Sequence, residues 1–281
     1  MKVAIASGKG GTGKTTVATN LAHVAARAGT AVAYLDCDVE EPNGHIFLKP
    51  DIAETQPVSR PVPRVDAGKC TACGQCGEIC QYSAIVCIGQ QVLVNPEMCH
   101  ACGGCALVCP VGAITEQPRE IGTLRLGSAG GIRFVSGTLN VGETMSPPVI
   151  RQVKAAQPQA ELVILDAPPG TSCPVVETIR GADFVLLVTE PTPFGLNDLQ
   201  LAVEMVRALK RPFAVVINRA DIGDGQTRRY CDLQRIGVLA EIPDDRQLAE
   251  AYSRGEMACE AKPELRGLFS ELLRRITKAV S

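Results

Sequence analysis

The 281-residue sequence predicts an α/β fold, a doubly wound and mostly parallel sheet with a small α+β domain inserted into it. Short apolar runs rich in Val, Ile and Leu are typical of buried parallel strands, and helical stretches alternate with several of them. Such alternation places helices on both faces of one sheet. Nine of the 13 cysteines lie between Cys70 and Cys109, and this concentration marks the inserted segment.

The expected strands and helices follow from periodicity and from end signals. In the first helix the apolar residues Val17, Leu21 and Val24 recur at helical spacing, and Gly29 stands where a glycine C-cap belongs. The strands are expected at Val3–Ala6, Ala31–Leu35, Leu162–Leu165, Phe184–Val188, Phe213–Ile217 and Val238–Ile242. The helices are expected at Thr15–Ala28, Pro147–Ala156, Pro174–Arg180 and Asn197–Lys210.

Two proline-containing stretches are interpreted as connectors between the domains. Residues 57–63 contain three prolines, and Glu116–Pro118 ends in another. Because proline lacks a backbone N–H and has a fixed φ, these stretches are not expected to continue a helix or a central strand. The expected domains are residues 1–62 and 119–281 for the two parts of the host and residues 63–118 for the insertion.

Composition and charge exclude several classes of protein. Hydrophobic residues make up 46% of the chain, which is ample for a buried core and excludes a disordered chain. A net charge of −2 argues against general nucleic-acid binding, because phosphate neutralisation needs a basic excess. The sequence has no apolar run near the roughly 18–20 residues of a membrane span and no signal-peptide pattern, so we expect a cytoplasmic protein.

A glycine-rich loop follows the first expected strand and opens the first expected helix. Its sequence, G-K-G-G-T-G-K-T-T from Gly8 to Thr16, fits the phosphate-binding pattern G-x-x-x-x-G-K-[ST]. Backbone N–H groups of such a loop surround phosphates, while Lys14 reaches the β- and γ-phosphates and the Thr15 hydroxyl holds Mg²⁺. The loop predicts a P-loop NTPase whose nucleotide-binding residues are Gly8, Gly10, Gly11, Thr12, Gly13, Lys14, Thr15 and Thr16.

The cysteine-rich segment contains an internal repeat. The pattern C-x₂-C-x₂-C-x₃-C begins at Cys70 and recurs 29 residues later at Cys99. This is the bacterial ferredoxin pattern for two [4Fe–4S] clusters, in which each run donates its fourth cysteine to the other cluster. One cluster is assigned to Cys70, Cys73, Cys76 and Cys109, and the other to Cys99, Cys102, Cys105 and Cys80.

A pair of zinc knuckles is the competing interpretation, because Cys₄ zinc sites also use C-x₂-C pairs. Zinc ribbons lack the third cysteine at the next x₂ step and the 29-residue duplication, and this difference favours clusters. Between the repeats, strands are expected at Ala84–Ile88 and Val92–Val94, joined through Gly89, with Cys87 as a core thiol.

The lysine at position 9 makes the glycine-rich loop more specific. The loop resembles the deviant Walker A loop, K-G-G-x-G-K-T-T, of the MinD/ParA ATPases, a group that includes Mrp-type scaffolds and the nitrogenase iron protein. In that family the first lysine reaches across a nucleotide-sandwich dimer to the partner's phosphates. The resemblance implies that Lys9 is this signature lysine and that ATP drives formation of a homodimer.

Further stretches match this family in the same order along the chain. Leu35–Asp38 resembles switch I, Leu162–Asp166 resembles a Walker B strand, and Ala167–Gly170 resembles switch II. The resemblance implies that Asp38 positions the attacking water and that the Gly170 N–H turns toward the γ-phosphate. It implies Lys9, Lys14, Asp38 and Asp166 as catalytic residues, Thr15, Asp36, Asp38 and Asp166 as Mg²⁺ ligands, and Asn218, Arg219 and Pro243 as adenine contacts.

Two features are left with alternatives. Cys173 is expected to be a redox thiol beside switch II or a packing residue, or else, as in the nitrogenase iron protein, a ligand of a cluster bridging two subunits. The tail from Leu265 to Ile276 has the pattern of an amphipathic helix, which either docks on the core or touches a membrane. Membrane binding is not expected, and Cys37, Cys231 and Cys259 are expected to be buried thiols.

These residues predict a slow Mg-ATP-hydrolysing iron–sulfur ATPase. Nucleotide-dependent dimerisation and switching would be coupled to electron transfer through two [4Fe–4S] clusters to a partner protein, because eight cysteines saturate both clusters. One alternative is a carrier or assembly factor for clusters or metal, although the sequence has no C-x-x-C pair outside the cysteine-rich segment. The other is a positioning ATPase whose clusters sense redox state.

Overall fold

The computed structural model describes residues 1–280, and most of its strands join one sheet. In chain order the described strands are β1 (Lys2–Ala6), β2 (Val32–Asp36), β3 (Asp51–Val65), β4 (Ile85–Ile88), β5 (Gln91–Val94), β6 (Ile114–Ala129), β7 (Ile132–Leu139), β8 (Leu162–Asp166), β9 (Phe184–Thr189), β10 (Phe213–Asn218) and β11 (Val238–Ile242). The order across the large sheet is β11-β10-β9-β1-β8-β2-β7-β6-β3. Neighbouring strands from β11 to β7 are parallel, so the expected mostly parallel α/β sheet is confirmed.

Helices cover both faces of this sheet. The described α-helices are α1 (Lys14–Arg27), α2 (Gly44–Leu48), α3 (Gln75–Ile79), α4 (Gly104–Leu107), α5 (Pro147–Ala155), α6 (Cys173–Ile179), α7 (Pro193–Ala208), α8 (Gln226–Leu233), α9 (Arg246–Ser253), α10 (Ala258–Ala261) and α11 (Leu265–Val280). Along β1, Val3 and Ile5 pack on the face covered by α1 and α11, while Ala4 and Ala6 pack on the opposite face with α5 and α7. Because side chains alternate along a strand, a run that is apolar throughout fills two cores at once.

The proline-rich stretch 57–63 is not a connector but part of a long strand, and this expectation was wrong. Strand β3 pairs antiparallel with β6 along its whole length, from Asp51 opposite Ser128 to Val65 opposite Ile114. The stretch Glu116–Pro118 lies in the same ladder. Strand β3 is the last strand of the sheet, where one side of the backbone has no neighbouring strand, so an edge position tolerates the missing proline N–H groups.

The paired ends of β3 and β6 form an arm, residues 59–65 and 114–121, that carries the cysteine segment, residues 66–113. Strand β6 leaves β7 where Gly122 pairs with Leu139, the last residue of β7, and it pairs with β3 alone beyond that point. Strand β7 is parallel to β2, so the arm extends past the carboxyl ends of the parallel strands. Loops that follow parallel strands lie at that same edge, and the cysteine segment therefore stands on the side of the glycine-rich loop.

The cysteine segment has its own small core. Strands β4 and β5 form the expected hairpin, with Gly89 in its turn at a φ of 60°. Cys76, Ile85 and Ile114 are buried together, which joins the segment to the end of the arm. Cys87 is half-buried and its thiol donates to the Ala72 carbonyl at 3.5 Å, so it is not the core thiol that the pattern predicts.

The C-terminal helix α11 docks on the host domain. Its apolar residues Leu265, Phe269, Leu272 and Ile276 are buried in the core that α1 also lines. The amphipathic pattern of the tail is therefore satisfied by packing. Across residues 1–280, no helix combines the length and apolar character needed to cross a bilayer.

Candidate functional site

The glycine-rich loop wraps the start of α1. Gly13 caps the helix at a φ of 94°, and a Cβ there would come within 2.5 Å of the Asn218 side-chain nitrogen. Asn218 donates this amide to the Thr12 carbonyl at 2.9 Å, so it holds the loop itself. The Thr12 hydroxyl is buried and has no hydrogen-bond partner among the described residues, which leaves a donor for an incoming phosphate oxygen.

Lys14 lies at the first position of α1 and is only 7% exposed. Burial lowers the pKa of its ammonium, whereas the nearby carboxylates of Asp166 and Asp38 raise it. The Lys14 ammonium and two predicted Mg²⁺ ligands, Asp38 and Asp166, therefore lie close enough to interact. The structure thus brings together three of the four residues that the sequence predicts to be catalytic.

Two buried carboxylates stand side by side at the ends of β2 and β8. Asp36 and Asp166 are direct neighbours in the parallel ladder, and both are at most 1% exposed. Burial raises the pKa of each, and the charge of Asp166 raises the pKa of Asp36 further. One oxygen of Asp166, Oδ1, has no hydrogen-bond partner among the described residues. An orphaned carboxylate oxygen beside a second buried carboxyl group fits the charge of a divalent cation.

Asp38 completes this acidic group from the loop after β2. Burial and the neighbouring Asp166 raise the pKa of Asp38 to about 6, against the lowering effect of Lys14. In residues 1–280 no group of three or more His, Cys, Asp or Glu side chains is arranged to hold a metal ion by itself. Magnesium binding does not require such a group, because Mg²⁺ is usually held by one or two carboxylates together with substrate phosphates.

A buried tyrosine that the motifs did not reveal positions Asp166. The Tyr34 hydroxyl donates to Asp166 Oδ2 at 2.7 Å, and its ring stacks on Phe134 at 5.8 Å. Gly44 makes room for this ring, since a Cβ there would lie 2.5 Å from the tyrosine. The available signal was that Tyr34 lies two residues before Asp36 on β2 and so points to the same face of the sheet.

We expect the Tyr34→Phe substitution to lower the free energy of unfolding by about 1–3 kcal/mol, because it leaves a second buried oxygen of Asp166 without a donor. Urea unfolding followed by circular dichroism measures the change. Tyr252→Phe is the control, because the Tyr252 ring contacts Phe47 in a tilted arrangement and the residue is 47% exposed. Equal effects of the two substitutions would contradict the role given to the Tyr34 hydroxyl.

Lys9, the predicted signature lysine, is held within its own chain. Its ammonium lies 3.0 Å from Glu190, a residue that is 7% exposed and that also contacts Arg219 at 3.3 Å. Arg219 in turn lies 3.6 Å from Asp244, the residue after Pro243. Glu190 was not predicted from the sequence, and it links the signature lysine to the side of the loop where adenine contacts are expected.

The loop after β8 is tied to the glycine-rich loop. Gly170, the predicted switch II glycine, has a φ of 93° and donates its N–H to the Ser7 carbonyl at 3.0 Å. The same N–H must leave that carbonyl before it can reach a γ-phosphate. Cys173 follows at the start of α6 and is exposed, whereas Cys37, Cys231 and Cys259 are buried as expected.

In the cysteine segment, one of the two predicted ligand sets lines a single cavity. Cys70, Cys73, Cys76 and Cys109 all border it, together with Val65 and Ile114 at the end of the arm. Of the other set, Cys80 and Cys99 pack with Val62 and Ala84, while Cys105 is half-buried and Cys102 is exposed. The cavity brings three cysteines of the first repeat to the fourth cysteine of the second, which is the crossed arrangement that the spacing predicts.

The sequence repeat is also a repeat of backbone geometry. Ala72 and Ala101 have φ values of 52° and 54°, and each donates its N–H to the sulfur of the cysteine two residues earlier at 3.4 Å. Gly74 and Gly103 then begin α3 and α4 with positive φ values. Hydrogen bonds to the sulfurs are among the features that set the reduction potential of iron–sulfur clusters in proteins.

The sulfur of the fourth cysteine in each repeat is close to several backbone N–H groups of the residues that follow it. Burial tends to raise the pKa of Cys80, but N–H groups of residues 82–85 outweigh it and lower the pKa. At Cys109 the Ala113 N–H, 3.2 Å from the sulfur, lowers the pKa, and amides of residues 111, 112 and 114 add to it. Since the thiolate is the metal-binding form, both positions favour ligation. Within residues 1–280 no three of these thiols are already grouped around a metal position. The cavity bordered by the first set and the amides directed at the sulfurs fit the ligation that the spacing predicts.

The fold and this edge of the sheet define a P-loop nucleotide-binding protein. Residues 3–258 match the model of the CobQ/CobB/MinD/ParA nucleotide binding domain, and the chain belongs to this family.

Similar proteins agree with this assignment. Two uncharacterised proteins of Methanocaldococcus jannaschii are 31% and 30% identical, over 91% and 100% of this chain and 90% and 98% of their own lengths. An iron-sulfur cluster carrier protein of Pyrococcus furiosus is 26% identical over 90% of this chain and 77% of its own. The septum site-determining protein MinD of Pyrococcus horikoshii, solved with Mg-ADP, shares the fold with a TM-score of 0.60 and 19% identity, covering 99% of this chain and 96% of that one.

Proposed function

We propose that this protein is a cytoplasmic Mg-ATP-dependent iron–sulfur ATPase that couples ATP hydrolysis to electron transfer through two [4Fe–4S] clusters. The observation that carries the proposal is the placement of the cysteine segment on an arm at the carboxyl edge of the sheet, where the P-loop and the paired carboxylates also lie. In a family of nucleotide-binding proteins, that placement supports a coupling between the cysteine segment and the loops that bind nucleotide.

The residues of the nucleotide site divide the work of hydrolysing ATP and water to ADP and phosphate. The P-loop amides and the Lys14 ammonium bind the phosphates, and the Thr15 hydroxyl with Asp36, Asp38 and Asp166 orients Mg²⁺. Asp38 also orients the attacking water. Phosphoryl transfer of this kind depends mainly on positioning and charge stabilisation, so these groups suffice without a covalent step.

Dimerisation is assigned to the deviant Walker A lysine. In a homodimer closed over ATP, Lys9 contacts the phosphates bound to the partner, and it must first leave Glu190. Glu190 then keeps Arg219 as its partner, so no bare carboxylate is left buried. The adenine binds on the side of the P-loop where Asn218, Arg219 and Pro243 lie.

The cysteine segment acts as an inserted ferredoxin domain. Two [4Fe–4S] clusters supply one-electron chemistry at low potential when bound. The chain's own part is to hold them: eight cysteines satisfy every iron, and amides directed at Cys70, Cys99 and Cys109 stabilise the negative charge on sulfur. Saturated ligation favours electron transfer to a partner protein over release of a cluster.

A carrier or assembly role is the second candidate, and the names of the relatives favour it. Several iron-sulfur cluster carrier proteins align with about nine-tenths of this chain at 23–26% identity. Under this alternative a cluster is delivered to an apo-protein. Exposed Cys173, beside the switch II loop, is the residue outside the cysteine segment where a transferable cluster would bind.

The test uses the full chain, purified without oxygen. We expect Mg-ATP to shift the midpoint potential of at least one cluster, and we expect a several-fold change in the ATPase rate between oxidised and dithionite-reduced protein. Cluster potentials that do not change with Mg-ATP, together with ATPase rates that do not change with the oxidation state of the clusters, would contradict the coupling. Rapid, ATP-dependent transfer of iron and sulfide to an apo-ferredoxin would support the carrier instead, and a Cys173→Ser variant shows whether that residue takes part.

The acidic group also predicts how nucleotide binding depends on pH. Asp38 has a pKa of about 6 in the metal-free protein, so a proton competes with Mg²⁺ below that pH and binding weakens as the pH falls. We expect the apparent affinity for Mg-nucleotide to drop by up to about tenfold per pH unit below 6, beyond the change due to the nucleotide's own phosphates. Titrations from pH 5 to 8 with wild type and Asp38→Asn isolate this effect, because the variant retains the contributions of the phosphates, Asp36 and Asp166 and loses only that of Asp38. Identical slopes in both proteins would remove Asp38 from the Mg²⁺ site.

A further inference from the structure

The loop after β7, residues 140–146, connects the nucleotide edge to the cysteine segment. We call it the bridging loop. On one side its last residue, Ser146, donates its hydroxyl to Glu40 at 3.0 Å. Glu40 lies two residues after Asp38, and Val39 between them accepts a hydrogen bond from the Leu139 N–H at 2.8 Å. The bridging loop is therefore attached to the segment that the site places around Mg²⁺.

The Ser146 hydroxyl bonds to Glu40 instead of capping the helix that Ser146 precedes. It stands at the N-cap of α5, where a serine side chain ordinarily accepts from the first turn of the helix. Here the side chain makes no cap hydrogen bond, although the residue is 2% exposed. Its hydroxyl is directed at Glu40 instead, so the position favours the link over the stability of α5.

On the other side the bridging loop holds a buried arginine of the arm. Glu143, whose side chain is 5% exposed, contacts Arg60 at 3.3 Å and Arg119 at 2.6 Å, one residue from each strand of the arm. Arg60 is 2% exposed. A buried carboxylate between two guanidinium groups is strongly constrained, because separating them would leave uncompensated charge.

Arg60 in turn holds the predicted cluster ligand Cys99 through its backbone. Its guanidinium donates to the carbonyl of Cys99, to Pro96 at 3.0 Å and to Glu97 at 3.2 Å. The planar, five-donor guanidinium fixes several acceptors at once, which a lysine cannot do. A shift of Arg60 would therefore move the start of the second cysteine run. The Nε atom of Arg60 is buried and has no hydrogen-bond partner among the described residues.

We propose that the bridging loop transmits the nucleotide state from residues 38–40 to Cys99, with Arg60 as the positioning residue. The cluster bound by Cys99, Cys102, Cys105 and Cys80 is then the one that responds to nucleotide. This inference rests on the proposed function and names the contacts that carry the coupling: Glu40 to Ser146, Glu143 to Arg60, and Arg60 to Cys99.

The experiment measures two quantities on the full chain with its clusters, with and without Mg-ADP or a non-hydrolysable ATP analogue. One is hydrogen–deuterium exchange of the amides of residues 95–101, and the other is the midpoint potential of each cluster. We compare wild type, Ser146→Ala and Arg60→Lys. Glu271→Gln is the matched control, since Glu271 also joins two arginines but lies on α11, away from both sites.

In wild type and in Glu271→Gln we expect nucleotide to change exchange at residues 95–101 and to shift one potential. In Ser146→Ala the exchange response should shrink by about two- to tenfold, the effect of one lost hydrogen bond. Arg60→Lys should move only one of the two potentials in the absence of nucleotide. A nucleotide response in Ser146→Ala equal to wild type would overturn the proposal, as would a wild type with no response at residues 95–101. Should exchange respond while neither potential does, the link stands and the electron-transfer function fails.

Discussion

ATP hydrolysis by a Lys14→Met variant is expected to fall by about 10²–10³-fold, the cost of removing one preorganised charge from a transition state. Lys14 is buried at the start of α1 and faces Asp38 and Asp166, so no solvent cation takes its place readily. Phosphate release from the full chain under anaerobic conditions measures the loss.

Two further substitutions separate this effect from a general loss of positive charge. Lys278→Met removes an exposed lysine in the last turn of α11, and it should leave hydrolysis within about twofold of wild type. Lys9→Met should keep nucleotide binding but lose hydrolysis and the ATP-dependent dimer, as seen by light scattering. A Lys14→Met variant that still hydrolyses ATP at the wild-type rate would refute the assignment of this loop as the catalytic P-loop.

Iron content is expected to fall by about half in a Cys109→Ser variant, because one of two four-iron clusters loses a ligand. The cavity shared by Cys70, Cys73, Cys76 and Cys109 identifies which cluster that is. Cys87→Ser is the control within the same segment, since Cys87 is not one of the eight predicted ligands and its thiol hydrogen-bonds to backbone carbonyls. Iron and sulfide analysis of anaerobic protein, with electron paramagnetic resonance of the reduced form, measures both.

Double substitutions test the crossed ligation directly. Cys70→Ser combined with Cys109→Ser should lose no more iron than either change alone, because both residues serve the same cluster. Cys99→Ser combined with Cys109→Ser should lose nearly all iron, because the two changes strike different clusters. The reverse pattern would show that each repeat binds its own cluster, and one zinc ion per four cysteines would favour the knuckle interpretation.

Much of this architecture could be predicted from the sequence because the signals are local. The P-loop motif is one continuous stretch of sequence, so it can be recognised there even though Gly13 and Lys14 contact residues far along the chain. Each strand of the parallel sheet is a short run buried on both faces, so composition alone marks it. The cysteine repeat carries its crossed pairing in its spacing, and the shared cavity of the first set agrees with it.

The arm shows why local signals fail elsewhere. Prolines in residues 57–63 indicate a break when they are interpreted alone, yet β3 is an edge strand and tolerates them. Edge or centre is a property of the assembled sheet, which a proline-based argument does not contain. The same limit applies to Glu116–Pro118, which the proline indicates as a connector and which lies within β6.

The sequence by itself determined which chemical groups the chain carries: a phosphate loop, acidic strand ends and two repeated runs of four cysteines. Only the tertiary structure decided how these parts meet. Tyr34 and Asp166 are 132 residues apart in the chain and hydrogen-bond because β2 and β8 are neighbours. Arg60, Glu143 and Cys99 likewise come together only where the arm, the bridging loop and the cysteine segment converge. A motif can be recognised within one short stretch of sequence. Strand order and register determine which groups lie beside a buried charge, and neither can be derived from such a stretch.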